Sequence, residues 1–186
     1  MQPSKLVEIL ARNSVIAAIS DDKWEDAVES SAKVLFYLSA NLLSVKEKLD
    51  QAHKAGKIVM VHIDLAEGIG KDSSGIAYLA QCGVDGIIST RANMIRLAKK
   101  NGLITIQRVF ALDSKGLDSI DDMIQNSAPH MVEIMPGVIC KAISRFSRGG
   151  TPIIAGGLLQ TRQEVFCALK AGAVAVSTGC CDLWRY

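Results

Sequence analysis

Apolar residues in this chain gather in eight short runs rich in Val and Ile, at 15–20, 34–39, 57–65, 84–90, 103–110, 130–136, 151–157 and 173–179. Runs of that length, bounded by Gly, Asn, Asp and Ser, read as β-strands. Their starts fall roughly 20 to 27 residues apart, enough for one strand, one helix and two tight loops. Between them the spacing turns helical. Leu42, Val45, Leu49 and Ala52 follow at three- and four-residue steps and share one face. Thr161 with Glu164 reads as a capping box, and Val165 and Leu169 continue an apolar stripe behind it. Gly56, Gly83, Gly102, Gly149 and Gly172 recur just before strands, where a left-handed residue ends a helix. Eight alternating units close a parallel barrel or build an open doubly wound sheet, and the pattern alone suits both. The count of eight, and the lack of G-x-G-x-x-G after the first strand, favour a compact (β/α)8 TIM-type barrel with short loops.

Composition narrows this further. A length of 186 residues fits one domain spanning 1–186, and an apolar share of 49% with only 5% aromatics suits strands covered on both faces. No apolar run approaches the roughly 20 residues that span a bilayer, and Met1 to Arg12 lacks the layout of a signal peptide, so a cytoplasmic protein is expected. The five cysteines show no zinc-type spacing, and Cys180 and Cys181 are adjacent, which reads as reduced thiols. A net charge of +2 is too even to announce a nucleic-acid binder.

In a barrel of this kind the reactive face lies at the carboxyl ends of the strands. The third run closes on His62 and Asp64, which a period of two places on one side. Such a pair can bind a divalent metal, transfer a proton or meet hydroxyl groups, and spacing does not choose among these. The fourth run leads into Arg91, which also suits a surface helix. The fifth carries Gln107 and Arg108 inside an apolar strand, where a guanidinium needs a carboxylate partner such as Glu133 or an anionic ligand. Gly156, Gly157, Ser177 and Thr178 close the last two runs, where barrels commonly bind phosphate. Lys57 opens its strand, at the end opposite a Schiff-base amine, and no serine sits in a nucleophile elbow.

Several segments together resemble the glycerol-3-phosphate-responsive antiterminator family. They are Val61-His62-Ile63-Asp64-Leu65 with Gly68-Ile69, Gly86 to Arg91, Ile106 to Phe110 with Leu112-Asp113, Glu133 to Gly137, Pro152 to Gly157, and Ala171 to Thr178 with Leu183-Trp184. The order and spacing hold over nearly the whole chain. Departures are Ser20, where some members carry a basic residue, and Gly179, where serine is frequent. The resemblance implies a barrel without a catalysed reaction or cofactor, a regulator that senses glycerol 3-phosphate and acts on leader RNA of glycerol-utilisation genes. Placed by strand position, His62, Asp64, Gln107 and Glu133 would meet the glycerol part. Gly156, Gly157, Ser177 and Thr178 would hold the phosphate, with Arg108 adding charge. RNA contacts would fall on local basic patches: Lys99 with Lys100, Arg145 with Arg148, and Lys46, Lys48, Lys54 and Lys57, which a symmetric homo-oligomer would join into a track. The alternative is a barrel enzyme acting on a phosphorylated polyol or sugar, with His62, Asp64 and Glu133 as metal or acid-base groups.

Overall fold

Each of the eight apolar runs contains a strand: β1 (Val15–Ile19), β2 (Val34–Tyr37), β3 (Ile58–His62), β4 (Gly86–Ser89), β5 (Ile104–Phe110), β6 (Met131–Met135), β7 (Ile153–Gly156) and β8 (Ala175–Thr178). The structure is a computed structural model that describes residues 1–111 and 113–185, without the side chains of Ser114 and Lys115. Leu112 of the family-like Leu112-Asp113 segment lies outside the described residues. All strand pairs are parallel and in sequence order, and β8 pairs with β1 to close the barrel.

A closed parallel sheet must cover its outer wall and fill its interior. The outer wall is covered by α2 (Trp24–Glu29), α3 (Val45–Lys54), α4 (Ser73–Gln81), α5 (Ala92–Lys100), α6 (Ser114–Ser127), α7 (Cys140–Phe146) and α8 (Arg162–Lys170), one after each of the first seven strands. After β8 a single 3-10 turn, Cys181–Arg185, stands in place of a helix. Trp184, buried there, donates from Nε1 to the Thr178 carbonyl at 2.8 Å and pins that turn to the wall. The capping box of Thr161 and Glu164 opens α8. Val45, Leu49 and Ala52 form the buried face of α3. Leu42 lies ahead of that helix, 38% exposed, and leans on Gly68 instead. The left-handed residue before β7 is Gly150 rather than Gly149.

The interior is plugged from below by α1 (Pro3–Arg12), which the apolar pattern did not announce. Leu6 and Leu10, one turn apart, reach into the barrel and pack with Ile16, Phe36, Met60 and Ile106. A helix thus seals the amino-terminal mouth, and the carboxyl-terminal mouth is left for polar side chains. Removing the plug's side chain leaves a cavity in a closed wall that has little freedom to collapse. Leu10→Ala is expected to cost about 2–5 kcal/mol of stability, read from urea unfolding midpoints. A loss below about 0.5 kcal/mol would show that α1 is not part of the core.

Candidate functional site

Strand alternation decides which polar residues face inward. On β5, Ile104 and Ile106 belong to the interior cluster, so Arg108 follows them inward, and on β6 Met131 does the same for Glu133. The register sets Arg108 beside Glu133 and Gly156 beside Ser177. Arg108 Nε donates to Glu133 Oε2 at 2.6 Å, and Ser177 Oγ donates to Glu133 Oε1 at 2.5 Å. Glu133 is 1% exposed and Arg108 8%, so both charges leave water only because they meet each other. Gly156 makes the row possible. A Cβ there would run into Glu133 Oε1 and would lie 2.7 Å from Ser177 Oγ.

The Arg108 guanidinium spends only its Nε on this row. Its two Nη groups make no hydrogen bond among the described residues, and neither is among the sealed, unpartnered atoms. They remain available to an anion, which a planar fork of donors suits. His62 closes β3 beside them, 3% exposed, with Nδ1 buried and without a partner. Burial, reinforced by the Arg108 charge, pushes its pKa from 6.5 down to about 4. The ring is therefore neutral at physiological pH, one nitrogen a donor and the other an acceptor.

The remaining sequence candidates fall elsewhere. The third strand ends at His62, and a 3-10 turn, Ile63–Leu65, replaces its last residues, so the period of two stops before Asp64. Asp64 instead accepts hydrogen bonds from the Thr90 amide at 2.7 Å and the Ser89 and Thr90 hydroxyls, and its Oδ1 lies 3.5 Å from Arg91 Nε. This group fixes the loop after β4 at the rim. Gln107 alternates outward from Arg108, and its Oε1 accepts from Ser127 Oγ of α6 behind the wall. Thr178 Oγ1 donates to the Leu159 carbonyl at 2.6 Å and accepts from the Cys180 amide, closing the loops after β7 and β8 on each other. Gly157 has φ +76°, and a surface cavity of about 490 Å³ opens beside it between those loops. The interior site thus holds His62, Arg108, Glu133, Gly156 and Ser177, while Asp64 and Arg91 sit on its rim. Ser89 and Thr90, the partners of Asp64, carried only the signal of being polar at a strand end.

The basic candidates divide as well. Lys57 is buried, and its Nζ donates to the carbonyls of Ser30 at 2.5 Å and Ala32 at 2.8 Å, which takes it out of any surface patch. Arg145 is held by Asp118 and Asp121, Lys46 by Asp50, and Lys48 by Asp21. Lys54, Lys100 and Arg148 are exposed and make no ion pair among the described residues, and Lys99 donates to the Ala128 carbonyl.

A closed parallel barrel with a charged row at the carboxyl ends of its strands and glycines beside its last two strands defines a (β/α)8 protein with a candidate binding site at that mouth. The chain belongs to the glycerol-3-phosphate responsive antiterminator family, which it matches over residues 15–184. It is 33% identical to the glycerol uptake operon antiterminator regulatory protein of Listeria monocytogenes str. 4b F2365, with 89% of this chain and 91% of that one covered at a TM-score of 0.84. The glycerol uptake operon antiterminator-related protein of Thermotoga maritima MSB8 is 32% identical, with 94% and 99% covered and a TM-score of 0.84. An uncharacterized protein of Escherichia coli strain K12, YgcP, is 33% identical over 96% of this chain and 95% of its own length.

The depressed pKa of His62 has a sign that can be checked. Above pH 6.5 the imidazole is neutral folded or unfolded and contributes nothing. As pH falls from 6.5 towards about 4, the unfolded chain takes up a proton that the folded one refuses, so stability is lost across that window. The full loss is on the order of 3 kcal/mol. Urea unfolding between pH 7 and 4.5 should show this slope, and His62→Gln should flatten it by about one proton. An unchanged slope in that variant would mean that His62 is not buried in its neutral form.

Proposed function

We propose that this chain is a cytoplasmic regulator that binds glycerol 3-phosphate at the carboxyl-terminal mouth of its barrel and acts on leader RNA without catalysing a reaction. The observation that carries the reading is the buried row of Arg108, Glu133 and Ser177 over Gly156, with the unpartnered Nδ1 of His62 beside it. A small polyol phosphate offers both kinds of group that this row lacks. Its phosphate would take the free Nη groups of Arg108 and the backbone beside Gly157, and its hydroxyls would satisfy His62. Membership of a family described as glycerol-3-phosphate responsive supports that choice of effector.

The chemistry of the row also favours binding over turnover. An acid-base or metal mechanism asks His62, Asp64 and Glu133 to act on one substrate. Glu133 has both oxygens committed to Arg108 and Ser177, and Asp64 is committed to Ser89, Thr90 and Arg91. Among the described residues no three His, Cys, Asp or Glu side chains form a set that could hold a metal ion. No helix among them is long and apolar enough to cross a membrane, as suits a regulator working beside the transcript.

Titration calorimetry with glycerol 3-phosphate, glycerol and inorganic phosphate tests this reading. Saturable binding is expected for glycerol 3-phosphate alone, with the compound recovered unchanged after incubation with Mg²⁺ or Zn²⁺. Gly156→Ala, which pushes a methyl group into Glu133 and Ser177, should weaken that binding at least about tenfold with the circular dichroism spectrum kept. Arg108→Lys should cost the phosphorylated ligand more than any unphosphorylated polyol, because an ammonium loses the fork. Equal affinity for glycerol, metal-dependent product formation, or full affinity in a folded Gly156→Ala protein would each overturn the reading.

A further inference from the structure

Every crossover helix of the barrel ends at the amino-terminal face, opposite the candidate effector site, and several of the segments leading into the strands there carry an exposed cation. Lys33 precedes β2, Lys54 ends α3, Lys100 ends α5 and Arg148 precedes β7, all exposed. Across the same face lies α1, with Lys5 and Arg12 exposed. None of these six cations makes an ion pair with a described carboxylate. Acids near the face include Glu8, Glu29, Asp50 and Asp85; Asp50, one turn before Lys54, is paired with Lys46, and Asp85 is engaged by His53 at 2.9 Å and by the Val59 amide.

Cations at helix carboxyl ends have an ordinary explanation in the helix dipole, which accounts for Arg12, Lys54 and Lys100. Arg148, in the 3-10 turn that directly follows α7, shares that explanation, which leaves Lys5 and Lys33. Lys5 stands in the first turn of α1, where the dipole disfavours a positive charge, and Lys33 belongs to no helix. The shape of the face adds a second observation. Beside α1 runs a cleft of about 410 Å³ lined by Ile9, Arg12, Asn13, Lys33, Gly56 and Ile58, an apolar floor between cationic lips. A second cleft of about 250 Å³, at the amino-terminal end of α1, is bordered by Pro3, Lys99 and His130.

Resting on the regulator reading above, we propose that this amino-terminal face is the RNA-binding surface, and that it takes a single-stranded segment. The phosphates lie along Lys5, Arg12, Lys33, Lys54 and Lys100, where each contact releases a condensed counterion. An unpaired base enters the cleft beside α1, since its flat face suits the floor of Ile9 and Ile58 and a paired base could not reach it. Effector and RNA then occupy opposite ends of one barrel and do not compete for the same groups.

The test is fluorescence anisotropy of the full chain with labelled oligouridylate, and with a stem-loop RNA that ends in a uridine run, over a range of salt concentrations and with glycerol 3-phosphate present or absent. Loss of one phosphate contact to a single strand lowers the salt slope by about 0.7. The variant Arg12→Gln/Lys33→Gln/Lys100→Gln is therefore expected to lower the slope by about 2. A control with the same charge removed at the opposite face, where helices and turns begin after their strands, Lys23→Gln/Lys141→Gln/Arg162→Gln, should leave it unchanged. An equal fall in both variants, or none in the first, would overturn the assignment of this face while leaving RNA binding intact. Failure of the wild-type chain to bind either RNA, with or without effector, would overturn the assignment and the RNA half of the regulator reading together. Calorimetric binding of glycerol 3-phosphate would still stand. Retention on phosphatidylserine vesicles in the absence of RNA binding would replace the RNA assignment with a membrane one.

Discussion

The ion pair between Arg108 and Glu133 is the constraint on which the rest of this barrel depends. Two charges sit where neighbouring strands of similar barrels carry branched apolar side chains, and each is tolerable only because the other is 2.6 Å away. Breaking such a pair typically costs about 3–5 kcal/mol, since the survivor is left charged and dry. The neighbours follow from it. Residue 156 has no side chain because the Glu133 carboxylate fills that space, and Ser177 faces inward because Glu133 has a second oxygen to satisfy. His62 is held neutral by its burial and by the same guanidinium.

A polar upper interior requires the lower interior to carry the packing. The layer of Ile16, Phe36, Met60, Ile106, Met131 and Ile154 fills the barrel beneath the row, and α1 closes it from below with Leu6 and Leu10. This arrangement separates the molecule into two chemically different ends. Acidic helix caps gather at the carboxyl-terminal rim, where Asp72 and Asp113 accept from the amides of Gly75 and Gly116. Exposed Leu43, Leu65 and Leu158 stand on that same rim, in loops after β2, β3 and β7. Cations gather at the other end. Short loops keep both faces close to the wall, which is how a chain of 186 residues completes eight strands.

Much of this was legible in the sequence because a parallel strand covered on both faces reads as a continuous apolar run, and eight of them left few other solutions. The site was legible in part. Arg108 with Glu133 followed from the cost of an unpaired buried charge, and the glycine at 156 from its place in the seventh unit. What failed was period and neighbourhood. Gln107 and Arg108 are adjacent on one strand, so alternation alone sends them to opposite faces, and Ser177 and Thr178 part in the same way. Asp64 left the pattern because the chain turns into a 3-10 helix at Ile63, which no apolar run reveals. Lys57 looked like surface charge, yet the carbonyls ending α2 draw it inward, a tertiary contact with no local mark. The plug was equally hidden, since Leu6 and Leu10 are only two apolar positions one turn apart.

The distance between the two ends is short in terms of packed side chains. On β5 Ile106 lies one inward step below Arg108, and on β6 Met131 lies one step below Glu133, the two being paired in register. Both belong to the cluster that holds Leu6 and Leu10 of α1. Close-packed interiors transmit a displacement and do not absorb it, so a rearranged ion pair would press on the helix that crosses the basic face. A ligand shifts such an equilibrium only by as much as it prefers one arrangement over the other. The Arg108 Nη groups supply that preference in principle. A phosphate drawing the guanidinium upward competes with Glu133 for the same cation, and the carboxylate is left to Ser177. In the proposed reading, the side chain that would recognise the anion is therefore also the one whose movement would loosen the layer above the plug.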